Sequence, residues 1–196
     1  MPPSFAPTVS IGRILRRFRR NRHGSAAVEF ALVAPMFFAL LFAIIETGMM
    51  FFASQVLETV TQDSARVIQT GQAMTPGGVS ATQTGPLTEA QFQQYVCGEV
   101  PALLNCNNIA IDVEAYPSTW PLTFSSQIDG NGNFVSSNLQ YNLGGPCEIV
   151  VVRLFYQWQL FVTGLGYNIS NLSGNKRLLY GTAAFRNEPY GTCPSS

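Results

Sequence analysis

RRFRRNRHGSAAVEFALVAPMFFALLFAIIETGMMFF, residues 16–52, decides how this chain is organised. An arginine-dense stretch runs into Gly24, four small or aliphatic residues follow, and Glu29-Phe30 opens a long apolar run. Residues 30–53 number 24 and include one ionisable side chain, Glu46. A helix rises about 1.5 Å per residue and a bilayer core of about 30 Å needs roughly 20 apolar residues, so the run is long enough to span. A helix is the expected form, because backbone in lipid must satisfy its own hydrogen bonds. Pro35 removes one donor early in the run, which membrane helices tolerate.

Charge orients this span. Six of the 11 basic residues precede it: Arg13, Arg16, Arg17, Arg19, Arg20 and Arg22. After Ala53 there are nine acidic residues and five basic ones, so a net charge of +0 conceals a strong asymmetry. The positive-inside rule then predicts a cytoplasmic leader (residues 1–24), a transmembrane helix (25–53) and an extracytoplasmic domain (54–196), in a single-pass membrane protein. Orientation and anionic-lipid contact account for the arginines, so no nucleic-acid partner is expected. A cleaved secretory signal is disfavoured. Its apolar region spans about 7–15 residues, whereas this run is longer and ends in Met49, Met50, Phe51 and Phe52.

The stretch Gly24-Ser25-Ala26-Ala27-Val28-Glu29-Phe30 admits a plain reading and a functional one. A glycine before a helix serves as a flexible boundary, and a glutamate near a helix start complements the positive end of the dipole. Those rules explain each residue alone. They explain less well why glycine, glutamate and an aromatic coincide at an arginine-rich membrane edge. Cleavage after Gly24 would make Ser25 the first residue of the mature chain and Glu29 the fifth, a spacing that resembles the site cut by prepilin peptidases.

The wider segment HGSAAVEFALVAPMFFALLFAIIETGMMFF resembles the N-terminal module of TadE-like proteins, the minor pilins or pseudopilins of tight-adherence (Flp-type) pilus systems; TadG proteins carry a similar segment. The likeness is strongest over residues 16–70. It implies a non-enzymatic envelope protein of pilus assembly that contacts other pilins and the assembly platform. It further implies processing between Gly24 and Ser25 by a prepilin peptidase, and an assembly role for Glu29 beside Phe30.

Glu29 and Glu46 are separated by 17 positions, or about 260° around a helix after whole turns, so they do not form a carboxylate pair. Glu46 is expected near the outer interface, reaching water; the alternative has it facing a partner helix, because carboxylates within membranes seek protein or water rather than lipid.

Downstream, residues 54–73 continue the helix, with Val56, Val60 and Val67 as its apolar stripe. Residues 74–87 read as a loop. Thr88 and Gln91 offer a capping box for a helix burying Phe92, Val96, Val100 and Leu103, with Pro101 as a breaker. Ile109, Ile111 and Val113 alternate as in a half-buried strand. Residues 117–146 are rich in Pro, Gly, Asn and Ser and read as a long loop or hairpin. Residues 148–158 and 177–187 read as strands, the second stopped by Pro189. The predicted fold is α+β: the N-terminal transmembrane helix extends into a pilin-like domain with a small antiparallel sheet.

Cys97, Cys106, Cys147 and Cys193 all fall in the outer domain, where disulfides are permitted. Three pairings are open; the short intervening loop favours Cys97–Cys106, and Cys147–Cys193 would then pin the terminus beside the strands. The spacings suit no structural zinc site, and the one histidine, His23, lies in the leader. Asp129-Gly-Asn-Gly-Asn133 lacks the glycine at position six and the glutamate at position twelve of a calcium loop, having Phe134 and Gln140 there, and reads as a turn. Gly164-Leu-Gly166 lacks the third glycine and the lysine of a phosphate loop. No cofactor is expected. Tyr156, Trp158 and Phe161 are expected in the core, or at a subunit interface if exposed. Two rivals to the pilus reading are an uncut membrane-anchored envelope interaction protein and an anchored envelope enzyme; the second lacks a catalytic constellation.

Overall fold

The computed structural model describes Gly12 and residues 24–116, 124–162 and 167–193. The arginine cluster, His23, Trp120 and the Gly164/Gly166 pair lie outside the described residues.

A single helix, α1, runs from Ser25 to Gln69 with Pro35 inside it. The chain divides into two compact units, one ending at Ile45 and the other starting at Glu46. In the first unit α1 exposes Phe30, Val33, Met36, Phe37 and Leu40, among other apolar side chains. Its most apolar window has a mean hydropathy of 2.4 with none of it buried, so α1 is long and apolar enough to cross a membrane. Residues 26–45 rise about 30 Å, one bilayer core.

The second unit begins at Glu46. From Glu46 onward one face of α1 is buried: Glu46, Met50, Ala53, Leu57, Val60, Thr61, Ser64, Ala65 and Ile68. Spacings of three and four residues keep these positions on one stripe. Val60 and Val67 of the expected stripe are buried and Val56 is partly so. The helix stops at Gln69, four residues before the expected end, because Gly71 at φ 76° closes it and its N–H reaches the Ile68 carbonyl at 2.9 Å.

Three antiparallel strands complete the layer: β1 (Ile109–Tyr116), β2 (Ile149–Gln159) and β3 (Lys176–Arg186), in the order β1-β2-β3. Register pairs Asp112 with Arg153 and Arg153 with Thr182. Ile109, Ile111 and Val113 of β1, Val150, Val152, Leu154 and Trp158 of β2, and Leu179 of β3 join the α1 stripe in one core. Helix and sheet approach closely at Gly181, where a Cβ would come 2.2 Å from Thr61 Oγ1 and 2.8 Å from the Leu57 carbonyl oxygen.

The short helix α2 (Glu89–Glu99) carries the expected capping box: Thr88 Oγ1 accepts from Gln91 N–H, and the Gln91 side chain accepts from the Thr88 backbone. Phe92 and Val96 are buried on it; Val100 and Leu103 fall beyond its end and are partly buried. Val100 turns extended because it precedes Pro101. The described part of the 117–146 stretch folds over the outer sheet face, where Ile128, Phe134 and Leu139 pack on Phe155, Leu172 and Leu178. Gln127 to Val135 forms a small hairpin turned by Asp129, whose carboxylate accepts from the N–H groups of Asn131 and Asn133. The structure pairs Cys97 with Cys106 and Cys147 with Cys193, both at Cα–Cα 5.4 Å.

Candidate functional site

The residues that the sequence singles out for processing and assembly lie at the start of α1. Ser25 is its first residue, and Gly24 stands just before it. A Cβ at Gly24 would meet nothing within 4 Å, and Gly24 is not among the positive-φ glycines. Among the described residues nothing crowds that position, in contrast to Gly181. The first turn of α1 contains no acidic residue. Glu29 sits in the second turn, beyond the region where the helix dipole acts most strongly. Glu29 is exposed, and Phe30 beside it is 66% exposed.

Glu46 corrects the sequence reading. It is buried rather than reaching water: it is 7% exposed, and its carboxylate accepts hydrogen bonds from the backbone N–H groups of Phe161 and Val162, the latter at 2.9 Å. These amides follow the end of β2, where the chain leaves the sheet and returns to α1. The next helix residue is engaged as well, since Thr47 Oγ1 shares a hydrogen bond with the Tyr167 hydroxyl. Consecutive residues of α1 thereby hold the backbone just after β2 and the Tyr167 hydroxyl. A carboxylate can accept from several donors at once, so it satisfies two neighbouring amides that no strand partner reaches.

Phe161 also departs from expectation. Trp158 is buried and Tyr156 partly buried, but Phe161 is 83% exposed. The strand ends at Gln159, so period-two alternation no longer governs where residue 161 points.

A charged cluster on the outer sheet face was not foreseen. Arg153 Nε donates to Asp112 Oδ2 at 2.7 Å, and its Nη2 donates to Glu114 Oε1 at 2.5 Å. The guanidinium lies 5.0 Å from the Phe124 ring centroid and 5.7 Å from that of Phe155. Asp112 also accepts from the Gln140 N–H at 2.8 Å. Burial holds the Asp112 carboxyl above the ordinary carboxylate range, outweighing the backbone hydrogen bond from Gln140 and the attraction of Arg153. Burial, assisted by the hydrogen bond to Glu114, pushes the Tyr116 phenol up to about 12. The signal was present in the sequence: Asp112 and Glu114 occupy the polar positions of β1, and Arg153 is the one charge inside an apolar strand. Opposite charges on facing strands pair. The arrangement knits β1 to β2, and the arginine neutralises the carboxylates it touches. Among the described residues no group of three or more His, Cys, Asp or Glu is placed to hold a metal ion.

Residues 24–66 match the family model described as TadE-like protein. The matched segment starts at Gly24 and covers the exposed part of α1, Glu46 and most of the helical stripe facing the sheet. The N-terminal module of this chain is TadE-like, and that ties the protein to tight-adherence pilus systems. Neither the curated proteins nor the solved structures contain a match.

Proposed function

We propose that this TadE-like protein is a non-enzymatic minor pilin or pseudopilin of tight-adherence pilus assembly, anchored by residues 26–45 in the bacterial inner membrane. Its N-terminus faces the cytoplasm and its domain lies outside. A prepilin peptidase cuts between Gly24 and Ser25, removing the arginine leader and leaving Glu29 as the fifth residue. Glu29 and Phe30 then engage other pilins or the assembly platform.

The observation that carries this reading is the family match beginning at Gly24. Three features support it. A side chain at Gly24 would meet nothing within 4 Å, so a need for glycine there is compatible with close approach of a protease. About 30 Å of helix stands exposed and apolar before the domain begins. Arg153 is engaged by both Asp112 and Glu114, which suits a structural strut better than a reaction centre.

Crosslinking in intact cells, followed by purification of the tagged protein from membranes, tests the reading. Pilus-assembly components should be the dominant adducts. Recovery of the protein without any of them, at normal expression, would favour an envelope interaction module unrelated to a filament. A C-terminal alkaline phosphatase fusion should be active, and an inactive fusion at normal expression would reverse the topology.

A further inference from the structure

We propose that the free edge of β3 is a docking strip for an extended segment of a partner protein, one that alternates apolar and basic residues. The strip lies wholly within the folded unit that starts at Glu46, apart from the exposed helix invoked for pilus assembly.

The sheet ends at β3, whose strand neighbour is β2. An antiparallel strand turns alternate backbone groups to either side. Two hydrogen bonds fix which groups of β3 face outward: the Leu178 N–H donates to Asn171 Oδ1 at 2.7 Å, and the Thr182 N–H donates to Glu58 Oε2 at 3.3 Å. Even-numbered residues therefore present their N–H and C=O groups to the free edge. Among the described residues, the outward N–H groups of Tyr180 and Ala184 meet no acceptor. Tyr180, Thr182 and Ala184 are exposed, so the edge is open along the middle of the strand. Such an edge is a template for another strand: backbone bonds supply affinity, and pockets for alternate side chains supply specificity.

The two faces of the edge differ, and the difference names the occupant. On the outer face a hollow of about 330 Å³ adjoins Tyr180 and Thr182 and is lined by Phe124, Ile128, Phe155 and Leu178. Arg153 lines it too, but Asp112 and Glu114 already engage that charge. The hollow suits an apolar side chain. On the inner face Gly181 meets α1, and Glu58 reaches from α1 to the edge. Its bond to Thr182 is longer than the usual range of about 2.7–3.2 Å, so a strand carbonyl can take its place. The other Glu58 oxygen accepts from the Gln62 amide at 3.2 Å, and among the described residues no cation pairs with this carboxylate. A strand laid on β3 frees it for a cation. Successive side chains of a strand alternate faces. An apolar residue over the hollow is thus followed by a lysine or arginine beside Glu58. A second copy of this chain fits less well. Two β3 strands paired antiparallel about Thr182 bring two Glu58 carboxylates together, and like charges across a strand pair destabilise it.

Hydrogen exchange of the full-length protein in non-ionic detergent, read at single amides by NMR, tests this. The probe is the synthetic peptide acetyl-Ser-Leu-Lys-Leu-Thr-Val-Thr-amide. One control peptide has glutamate for its lysine. Another is N-methylated at both leucines and the valine, which removes the donors that face β3 and keeps the side chains. The lysine peptide should slow exchange at Tyr180 and Ala184 at least tenfold, and the two controls less than twofold. Ala184→Pro removes an outward donor that β2 does not use, and it should abolish the slowing at Tyr180. Glu58→Gln should erase the preference for lysine over glutamate. Unchanged exchange at Leu154 reports an intact sheet in each variant. No slowing by the lysine peptide, equal slowing by all three peptides, or a lysine preference that persists in Glu58→Gln overturns the proposal. Protection of Tyr180 and Ala184 without peptide, in a dimer seen by sedimentation, also overturns it and assigns the edge to a second copy.

Discussion

The Glu46 carboxylate accepts the backbone N–H of Val162 at 2.9 Å across 116 residues of chain, and the N–H of Phe161 beside it. A charge that reads in sequence as an oddity of an apolar helix is the point at which the domain grips its anchor. Replacing it leaves two partly buried donors without their acceptor. Glu46→Ala should destabilise the domain by about 1 kcal/mol, the net worth of hydrogen bonds whose donors are partly open to water. Glu46→Gln retains one acceptor oxygen and should lose less. Hydrogen exchange of the Phe161 and Val162 amides in detergent should quicken in the order wild type, Gln, Ala; unchanged protection in Ala would mean that these amides do not depend on Glu46.

The Arg153 cluster predicts a pH-dependent defect. Arg153→Met leaves Asp112 and Glu114 facing one another without their shared cation. Breaking a buried pair by removing one partner costs about 3–5 kcal/mol. Denaturant unfolding at pH 7 should show a loss of this size. The loss should shrink as pH falls toward 4, because protonation removes the repulsion. In the wild type the sign is set by Asp112, whose folded-state pKa lies above its ordinary value of 3.8. A group that binds its proton more tightly when folded makes stability decline as pH rises from the ordinary value through the raised one. A deficit in the methionine variant that is equal at both pH values would contradict the pairing.

Loop lengths rank the two disulfides. Cys97–Cys106 closes nine residues and Cys147–Cys193 closes 46. In the chain-entropy treatment the first is worth about 2–3 kcal/mol and the second about 4 kcal/mol. Paired serine substitutions, compared by guanidinium unfolding, should preserve that order. The reverse order would show that local packing, not loop closure, sets the contribution.

Glu29→Ala separates assembly from folding. The residue is exposed on α1, within the first compact unit, and the domain core contains no part of it. A carboxylate near lipid costs on the order of 3 kcal/mol on insertion scales, so alanine should insert at least as well. Recovery of pilus partners should fall several-fold while both disulfides still form. Full recovery would remove Glu29 from the assembly surface; loss of the disulfides would assign its effect to folding.

Local signals made much of this fold readable. The 24-residue run of residues 30–53, the capping box at Thr88 and Gln91, and the β-rich stretch around Val150 each carry their own periodicity or cap. Gly24 and Glu29 stood out by their placement at the membrane edge. What the sequence hid depends on register or on contacts far apart in the chain. Arg153 meets Asp112 only once β1 and β2 are aligned. Glu46 looks like an interfacial carboxylate until the chain 115 residues later returns to it. Phe161 continues an aromatic stripe in sequence, but the strand carrying that stripe ends two residues earlier.

The central claim is a processed, anchored TadE-like subunit, and the intact mass of the protein purified from membranes of its own host tests it most directly. The account predicts a chain beginning at Ser25, with the six leading arginines gone. It predicts that Gly24→Leu retains them, because a bulky side chain blocks close approach of the peptidase to the backbone. A wild-type mass that still includes the arginine leader, identical to that of the leucine variant apart from the substitution itself, would contradict it.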